Sequence, residues 1–209
     1  MTGKTHTAIG MAIGLTLAFK KPIEAQLAII TASTLGALIP DLDHPKGELN
    51  QKLLLINNNF FKTAFYLIVG LIFIYLYIEK NSPLFLLIGL FSFSLAISRH
   101  RSFTHSILGL ILFAAIIKLT MMEYGLSSIG KGFIVGYISH LVLDLFTSKG
   151  IRLFYPMKKN IAFPIKFKSN GLGEKIIFSL LILYCLVVLL LNFLLPNYPL
   201  WRSFDIYNY

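Results

Sequence analysis

Seven long apolar segments are the feature of this sequence that most limits its fold. They are 15 to 20 residues long and cover residues 5–19, 23–39, 61–78, 83–98, 103–122, 129–148 and 176–195. A helix of about 20 apolar residues crosses the ~30 Å hydrocarbon core of a bilayer. Only 13% of the residues are charged, whereas soluble domains carry about 25%. The sequence therefore predicts an all-α, polytopic helical membrane bundle, folded as a single integral-membrane domain over residues 1–209.

Two parts of this bundle allow more than one arrangement. The segments at 5–19 and 23–39 are short and rich in Gly, Ala and Thr, which suits close helix packing. They either cross the bilayer, lie buried against other helices or enter it as a re-entrant pair. Residues 149–175 form a basic loop, in which the strand-like stretch 161–167 can form a small hairpin.

The distribution of basic residues predicts an orientation in the membrane. Loops rich in Lys and Arg stay on the cytoplasmic side. Placing residues 149–175 there puts thirteen of the 19 basic residues in the cytoplasm, with the N-terminus, and leaves the C-terminus outside. We expect anionic membrane lipid as a partner. The net charge of +10 does not indicate nucleic acid, because no DNA-binding motif accompanies it.

Polar side chains gather on one side of this predicted topology. All five histidines and three of the four aspartates lie at segment ends that face the cytoplasm. They are His6, Asp41, Asp43, His44, His100, His105, His140 and Asp144. Ionisable residues within membrane segments are costly and usually functional. We therefore expect these residues to converge on a divalent metal ion.

Two local patterns support a metal site. His140 and Asp144 are four residues apart, so both side chains lie on one helix face. The alternative is a neutral histidine that is hydrogen-bonded to the aspartate. Asp41, Asp43 and His44 are crowded between two prolines, and carboxylates this close repel each other unless a cation lies between them. The alternative there is an ordinary helix-ending turn.

The stretch around residue 100 adds two histidines and two arginines. With Ser102 as the predicted helix cap, His105 falls in the first helical turn and His100 stays in the preceding turn. Arg99 and Arg101 can hold a phosphate or carboxylate by paired hydrogen bonds, or can simply anchor the cytoplasmic face.

The predicted ligands of the metal are the six residues His6, Asp41, Asp43, His105, His140 and Asp144. Imidazole and carboxylate ligands without thiolate suit zinc, manganese or iron, in a centre of one or two ions. A membrane-embedded hydrolase follows, in which His44 or His100 donates a proton and Arg99 or Arg101 holds an anionic headgroup.

Five blocks of the sequence resemble one known family. They are residues 3–6, 40–44, 100–106, 136–144 and 145–156, within roughly residues 1–165. Together they look like the YdjM-like family of inner-membrane-associated proteins, which are described as metal-dependent hydrolases. The family resembles, at a distance, the zinc phospholipase C and P1 nuclease group. That group uses His-x-x-x-Asp/Glu pairs like His140 and Asp144.

The resemblance implies the inner membrane of a prokaryote as the location. It also implies zinc as the first choice of metal and a phosphoester as the bond that is cleaved, in a lipid-like or other phosphorylated substrate. A transporter of ions, metals or protons would use the same ligands reversibly, but such sites favour the middle of the bilayer. A non-catalytic protein with a structural metal is the third alternative. The sequence leaves the substrate and the oligomeric state open.

Overall fold

The computed structural model describes residues 1–195, and these residues form eight α-helices and one 3₁₀ turn. The elements in order are α1 (Gly3–Leu17), α2 (Ile23–Leu38), the 3₁₀ turn (Ile39–Asp43), α3 (Asn50–Leu53), α4 (Asn59–Lys80), α5 (Pro83–Ile97), α6 (Ile107–Tyr124), α7 (Ser127–Leu145) and α8 (Leu172–Leu194). The seven long helices coincide with the seven predicted segments, so the predicted helical membrane bundle is confirmed. The C-terminus, predicted to lie outside, falls beyond the described residues.

Several of the long helices carry large apolar surfaces that no other helix covers. Four of the described helical stretches are long and apolar enough to cross a membrane: Ile23–Asp43, Asn59–Lys80, Ile107–Tyr124 and Leu172–Leu194. α5 is apolar but only 15 residues long. Exposed leucines, isoleucines and valines run along α4 and α8. Soluble monomers rarely expose such continuous apolar surface, and here it is suited to contact with lipid chains.

The start of α6 differs from the prediction. Ser106, and not Ser102, caps this helix, because its hydroxyl accepts from the backbone N–H of Gly109 at 3.1 Å. The Ser102 hydroxyl instead donates to the carbonyl of Arg99. The predicted cap at Ser102 is therefore wrong, and residues 98–106 form a connection that holds both of its histidines outside the helix.

Small residues bring α1, α2 and α7 unusually close together. A methyl group built on Gly136 would come within 2.1 Å of the Ser33 carbonyl oxygen, and one on Gly36 within 2.2 Å of the Phe133 carbonyl oxygen. Gly10 and Gly14 make similar approaches from α1 to α2. Small residues allow this backbone contact, which is a common way for membrane helices to associate.

The basic loop after α7 folds back onto the end of that helix. Phe163 N–H donates to the Leu145 carbonyl at 2.8 Å, and Phe167 N–H donates to the Phe146 carbonyl at 2.7 Å. Within the loop, Ile151 and Ile161 form an isolated antiparallel bridge. The loop thus forms isolated bridges and not the small hairpin that the sequence allowed. It is also shorter than expected, because α8 begins at Leu172.

We predict that Gly136→Ala destabilises the bundle, because the added methyl group would collide with the Ser33 carbonyl. Overpacking of this kind costs about 1–3 kcal/mol. The measurement is the free energy of unfolding of the purified protein in detergent. Gly132→Ala is the matched control, since it adds the same helix propensity with a nearest contact of 3.1 Å. Equal stability of the two variants would contradict the close α2–α7 packing.

Candidate metal centre

The predicted polar residues lie at one end of the bundle, where several separate segments supply them. His6 comes from α1, and Asp41 and Asp43 come from the 3₁₀ turn that ends α2. His100 and His105 belong to the connection between α5 and α6. His140 and Asp144 lie in the last turns of α7. The structure buries His6, Asp43, His105, His140 and Asp144 almost completely.

Four side-chain atoms form the centre of this cluster. His105 Nε2 lies 3.1 Å from His140 Nε2, 3.5 Å from Asp41 Oδ1 and 3.6 Å from Asp144 Oδ2. His140 Nε2 lies 3.7 Å from Asp41 Oδ1 and 3.9 Å from Asp144 Oδ2. Ligands at about 2.0–2.2 Å from a tetrahedral zinc ion are about 3.3–3.6 Å apart. The spacing of the four atoms is therefore close to that of a metal ligand shell.

Hydrogen bonds orient both inner histidines. His140 Nδ1 lies 2.7 Å from the carbonyl oxygen of Ala37, which can only accept, so the proton is on Nδ1 and the lone pair of Nε2 points inward. His105 Nδ1 lies 3.1 Å from the Thr104 hydroxyl and 3.4 Å from Asp43 Oδ2. Metal-binding histidines usually have their second ring nitrogen held in this way.

His6 lies beside this centre with its polar atoms unsatisfied. Its ring stacks on that of His140, with ring centroids 3.7 Å apart, and its Nε2 lies 3.4 Å from Asp144 Oδ1. Within residues 1–195, neither ring nitrogen has a hydrogen-bond partner although both are buried. An unsatisfied buried nitrogen costs about 1–3 kcal/mol, which coordination of an ion would offset.

The histidines and carboxylates also group into two sets that can each hold an ion. One set is His6, His140 and Asp144, and the other is Asp41, His100 and His105. Asp144 also contacts the N-terminal amino group, and it lies 3.6 Å from Arg101 Nη2. The donor chemistry of both sets fits zinc, manganese or iron.

Asp43 lies behind the histidines, outside the four inner atoms. Its Oδ1 is 2.9 Å from His100 Nδ1. Its Oδ2 accepts from the Thr104 hydroxyl at 2.8 Å and from the backbone N–H of Arg101 at 3.0 Å. These contacts use the carboxylate fully, so Asp43 orients His100 and His105 in this arrangement.

The carboxylates create a strongly negative environment around His105. Burial alone would lower the pKa of His105, but the charge of Asp43 and contacts with Asp41 and Asp144 outweigh it. Together they raise the pKa of His105 to about 10. An environment that stabilises a positive imidazolium also favours a bound cation.

His44 and His100 lie at the outer edge of the centre. Their ring centroids are 4.6 Å apart, and His44 Nδ1 accepts from the backbone N–H of Lys46 at 3.2 Å. Burial, followed by the charge of His100, lowers the pKa of His44 below its usual value. Two clefts, of about 550 and 580 Å³, share His44 and His100 in their linings, and the 580 Å³ cleft is also lined by Asp41 of the centre.

The two predicted anion-binding arginines have different environments. Arg101 is turned inward, where its Nη1 donates to the Thr147 hydroxyl at 2.8 Å and to the Gly150 carbonyl at 3.1 Å. Arg99 is exposed and lines the 550 Å³ cleft beside His100. Only Arg99 of the two is therefore placed to meet a ligand from outside.

Polar residues that sequence reasoning missed hold the Asp41–His44 loop in place. Asn50 Nδ2 donates to the carbonyls of Leu42 and His44, both at 2.8 Å, and its Oδ1 accepts from the Tyr66 hydroxyl at 2.6 Å. Lys62 Nζ donates to the Asp43 carbonyl at 3.1 Å. A buried asparagine and a lysine in an apolar helix were the available signals.

Glu174 was also missed, and it fastens the start of α1. Its Oε1 accepts from Thr2 N–H at 2.6 Å and from the Thr5 hydroxyl at 2.7 Å. Its Oε2 accepts from Asn170 N–H at 2.6 Å. This carboxylate thereby ties the start of the helix that carries His6 to the first turn of α8.

Comparison with known proteins agrees with these features. The model of the YdjM inner membrane protein family matches residues 1–198. The chain belongs to this family. The inner membrane protein YdjM of Escherichia coli (strain K12) is 27% identical over 178 residues, which are 82% of this chain and 74% of that protein. The uncharacterized protein YvsG of Bacillus subtilis (strain 168) is 25% identical over 179 residues, 86% of this chain and 88% of that protein.

Family membership confirms the resemblance that the sequence blocks predicted, and with the apolar helices it supports an inner-membrane location. No solved structure matches the chain significantly.

We predict that Asn50→Ala loosens the loop that carries Asp41 and Asp43. It removes three hydrogen bonds and leaves buried partners unsatisfied, at a cost of about 2–3 kcal/mol. The measurement is the free energy of unfolding in detergent. Asn160→Ala, which loses one exposed hydrogen bond to Lys149, serves as the control. An Asn50→Ala variant as stable as this control would refute the clamping role.

Proposed function

We propose that this protein is a membrane-embedded, metal-dependent hydrolase. The observation that supports it best is a set of four inward-facing side-chain atoms, one each from Asp41, His105, His140 and Asp144. Five separations between these atoms lie between 3.1 and 3.9 Å. Hydrogen bonds to Ala37 and Thr104 orient the two histidines, and the 580 Å³ cleft reaches the set at Asp41. A preformed, open centre of this kind suits catalysis.

Zinc is the proposed ion, with manganese or iron as alternatives that the same ligands accept. The four inner atoms would hold one ion, whereas the two sets with His6 and His100 would hold two. A divalent ion at this position supplies Lewis acidity, which activates water and polarises the bond under attack.

The residues at the cleft edge would complete the chemistry. His44 or His100 would donate a proton to the leaving group, since both line the two clefts, one of which reaches the centre at Asp41. Asp43 would keep the His100 ring in position through its 2.9 Å contact. Arg99 would hold the substrate anion at the cleft entrance, a role for which the inward-turned Arg101 is less suited.

The proposed substrate is a phosphoester of a lipid or another amphiphilic molecule. Its anionic group would pair with Arg99 and its apolar part would remain in the bilayer. The excess of basic residues at this end of the bundle supports placing the centre and the N-terminus at the cytoplasmic face.

Elemental analysis of the purified protein tests the centre. We expect about one or two divalent ions per chain, lost in Asp41→Asn and in His140→Ala because each removes an inner ligand. The Asp41 substitution keeps the side-chain size at a partly exposed position, which preserves the fold. His44→Ala is the control, because His44 belongs to neither ligand set.

A protein without metal after supplementation with zinc, manganese and iron would remove the proposed mechanism. Bound metal with no turnover of any phosphoester would assign the ion a structural role. Metal that crosses proteoliposome membranes would point to transport instead.

Turnover kinetics identify the proton donor. With phosphatidic acid or phosphatidylglycerol in mixed micelles, replacing the donor by Gln should lower kcat about 10²–10⁴-fold. Metal content, measured alongside, separates a proton donor from a ligand, because His100 also belongs to one ligand set. His44→Gln and His100→Gln are compared for this effect. Unchanged kcat in both variants would exclude either histidine as the proton donor.

A further inference from the structure

A third cleft, of about 290 Å³, lies apart from the metal ligands. It is formed where α5 ends and where the loop after α7 passes beneath the start of α6. Its lining includes Arg99, Arg152, Ser98, Ser102, Ile97 and Tyr155. None of the residues in the two ligand sets belongs to it.

The polar side of this cleft is positively charged and unsatisfied. Among the described residues, the guanidinium groups of Arg99 and Arg152 form no ion pair with a carboxylate. The hydroxyl of Ser98 is buried and has no hydrogen-bond partner within residues 1–195. Two arginines beside a free hydroxyl donor match the oxygens of a phosphate group.

The other side of the cleft is apolar and faces outward. Ile97, the last residue of α5, is 80% exposed, and Phe154 and Met157 in the neighbouring loop are 52% and 61% exposed. Apolar and aromatic residues next to basic ones are typical of the interface between lipid chains and headgroups. The cleft thus combines a phosphate-binding wall with a surface suited to acyl chains.

We propose that this cleft binds an anionic glycerophospholipid, with its phosphate between Arg99 and Arg152 and its acyl chains over Ile97. The apolar rim favours a lipid over a soluble phosphate, which would gain nothing from it. Arg99 also lines the 550 Å³ cleft beside His100, so the bound headgroup lies next to the metal centre. Lipid binding here does not depend on the proposed hydrolysis.

Native mass spectrometry of the full chain in detergent, titrated with dioleoylphosphatidylglycerol, tests the site. Arg152→Gln should weaken retention of the first lipid about tenfold, as expected for the loss of one charge-assisted hydrogen bond. The double variant Lys158→Gln/Lys159→Gln is the control, because it removes two charges from the same loop outside the cleft. It should retain this lipid nearly as the wild type does.

If Arg152→Gln and the double lysine variant weakened lipid retention equally, the effect would come from the overall charge of the loop, and the proposed site would be overturned. Dioleoylphosphatidylcholine bound as tightly as the anionic lipid would also overturn it. Displacement of the lipid by millimolar inorganic phosphate would identify a soluble-anion site instead. Arg99→Gln, at an exposed position, provides a second reading if Arg152→Gln does not fold. Metal content should be unchanged in Arg152→Gln, which separates this test from that of the hydrolase.

Discussion

The close contact between α2 and α7 is the constraint on which the rest of the site depends. Gly36 and Gly136 allow the two backbones to approach so far that a methyl group on either would collide with a carbonyl. At this separation His140 reaches the carbonyl of Ala37, at 2.7 Å. Because α2 runs directly into the 3₁₀ turn, the same contact also sets the distance from His140 to Asp41. The packing of two helices and the spacing of two proposed ligands are therefore one geometric property.

Around this contact, many polar groups are hydrogen-bonded to a partner from another segment, although the Ser33 hydroxyl is buried without one among the described residues. Buried polar groups are costly unless they are hydrogen-bonded, and the cost is greater where water is excluded. Asn50, Lys62 and Asp43 meet this requirement by linking the 3₁₀ turn to α4 and to the connection before α6. His6 is a further contrasting case, since neither of its buried ring nitrogens has a hydrogen bond among the described residues, and Nε2 only approaches Asp144 Oδ1, at 3.4 Å. The unsatisfied histidine thus lies where an ion would have most effect.

Hydropathy was enough to predict the helices, because apolar length is a property of consecutive residues. The pair of His140 and Asp144 could also be predicted from the sequence, since two residues four positions apart on one helix lie on the same face. The different positions of Asp41 and Asp43 were not, because they depend on contacts with residues about 60 or 100 positions away. The inward turn of Arg101 has the same origin, as Thr147 and Gly150 supply its partners. The start of α6 was misplaced because Ser102 and Ser106 are equally good caps by composition.

The hydrogen bonds between Glu174 and the start of α1 have a consequence for how the protein is made. Thr5 and Glu174 are 169 positions apart, so the first helix of the chain is fastened by a residue in the last described one. A ribosome delivers α1 to the membrane long before it has synthesised its anchor. The segment that carries His6 therefore gains this anchor only after α8, the last described helix, has been synthesised. Order of synthesis and order of assembly therefore run in opposite directions at this end of the molecule.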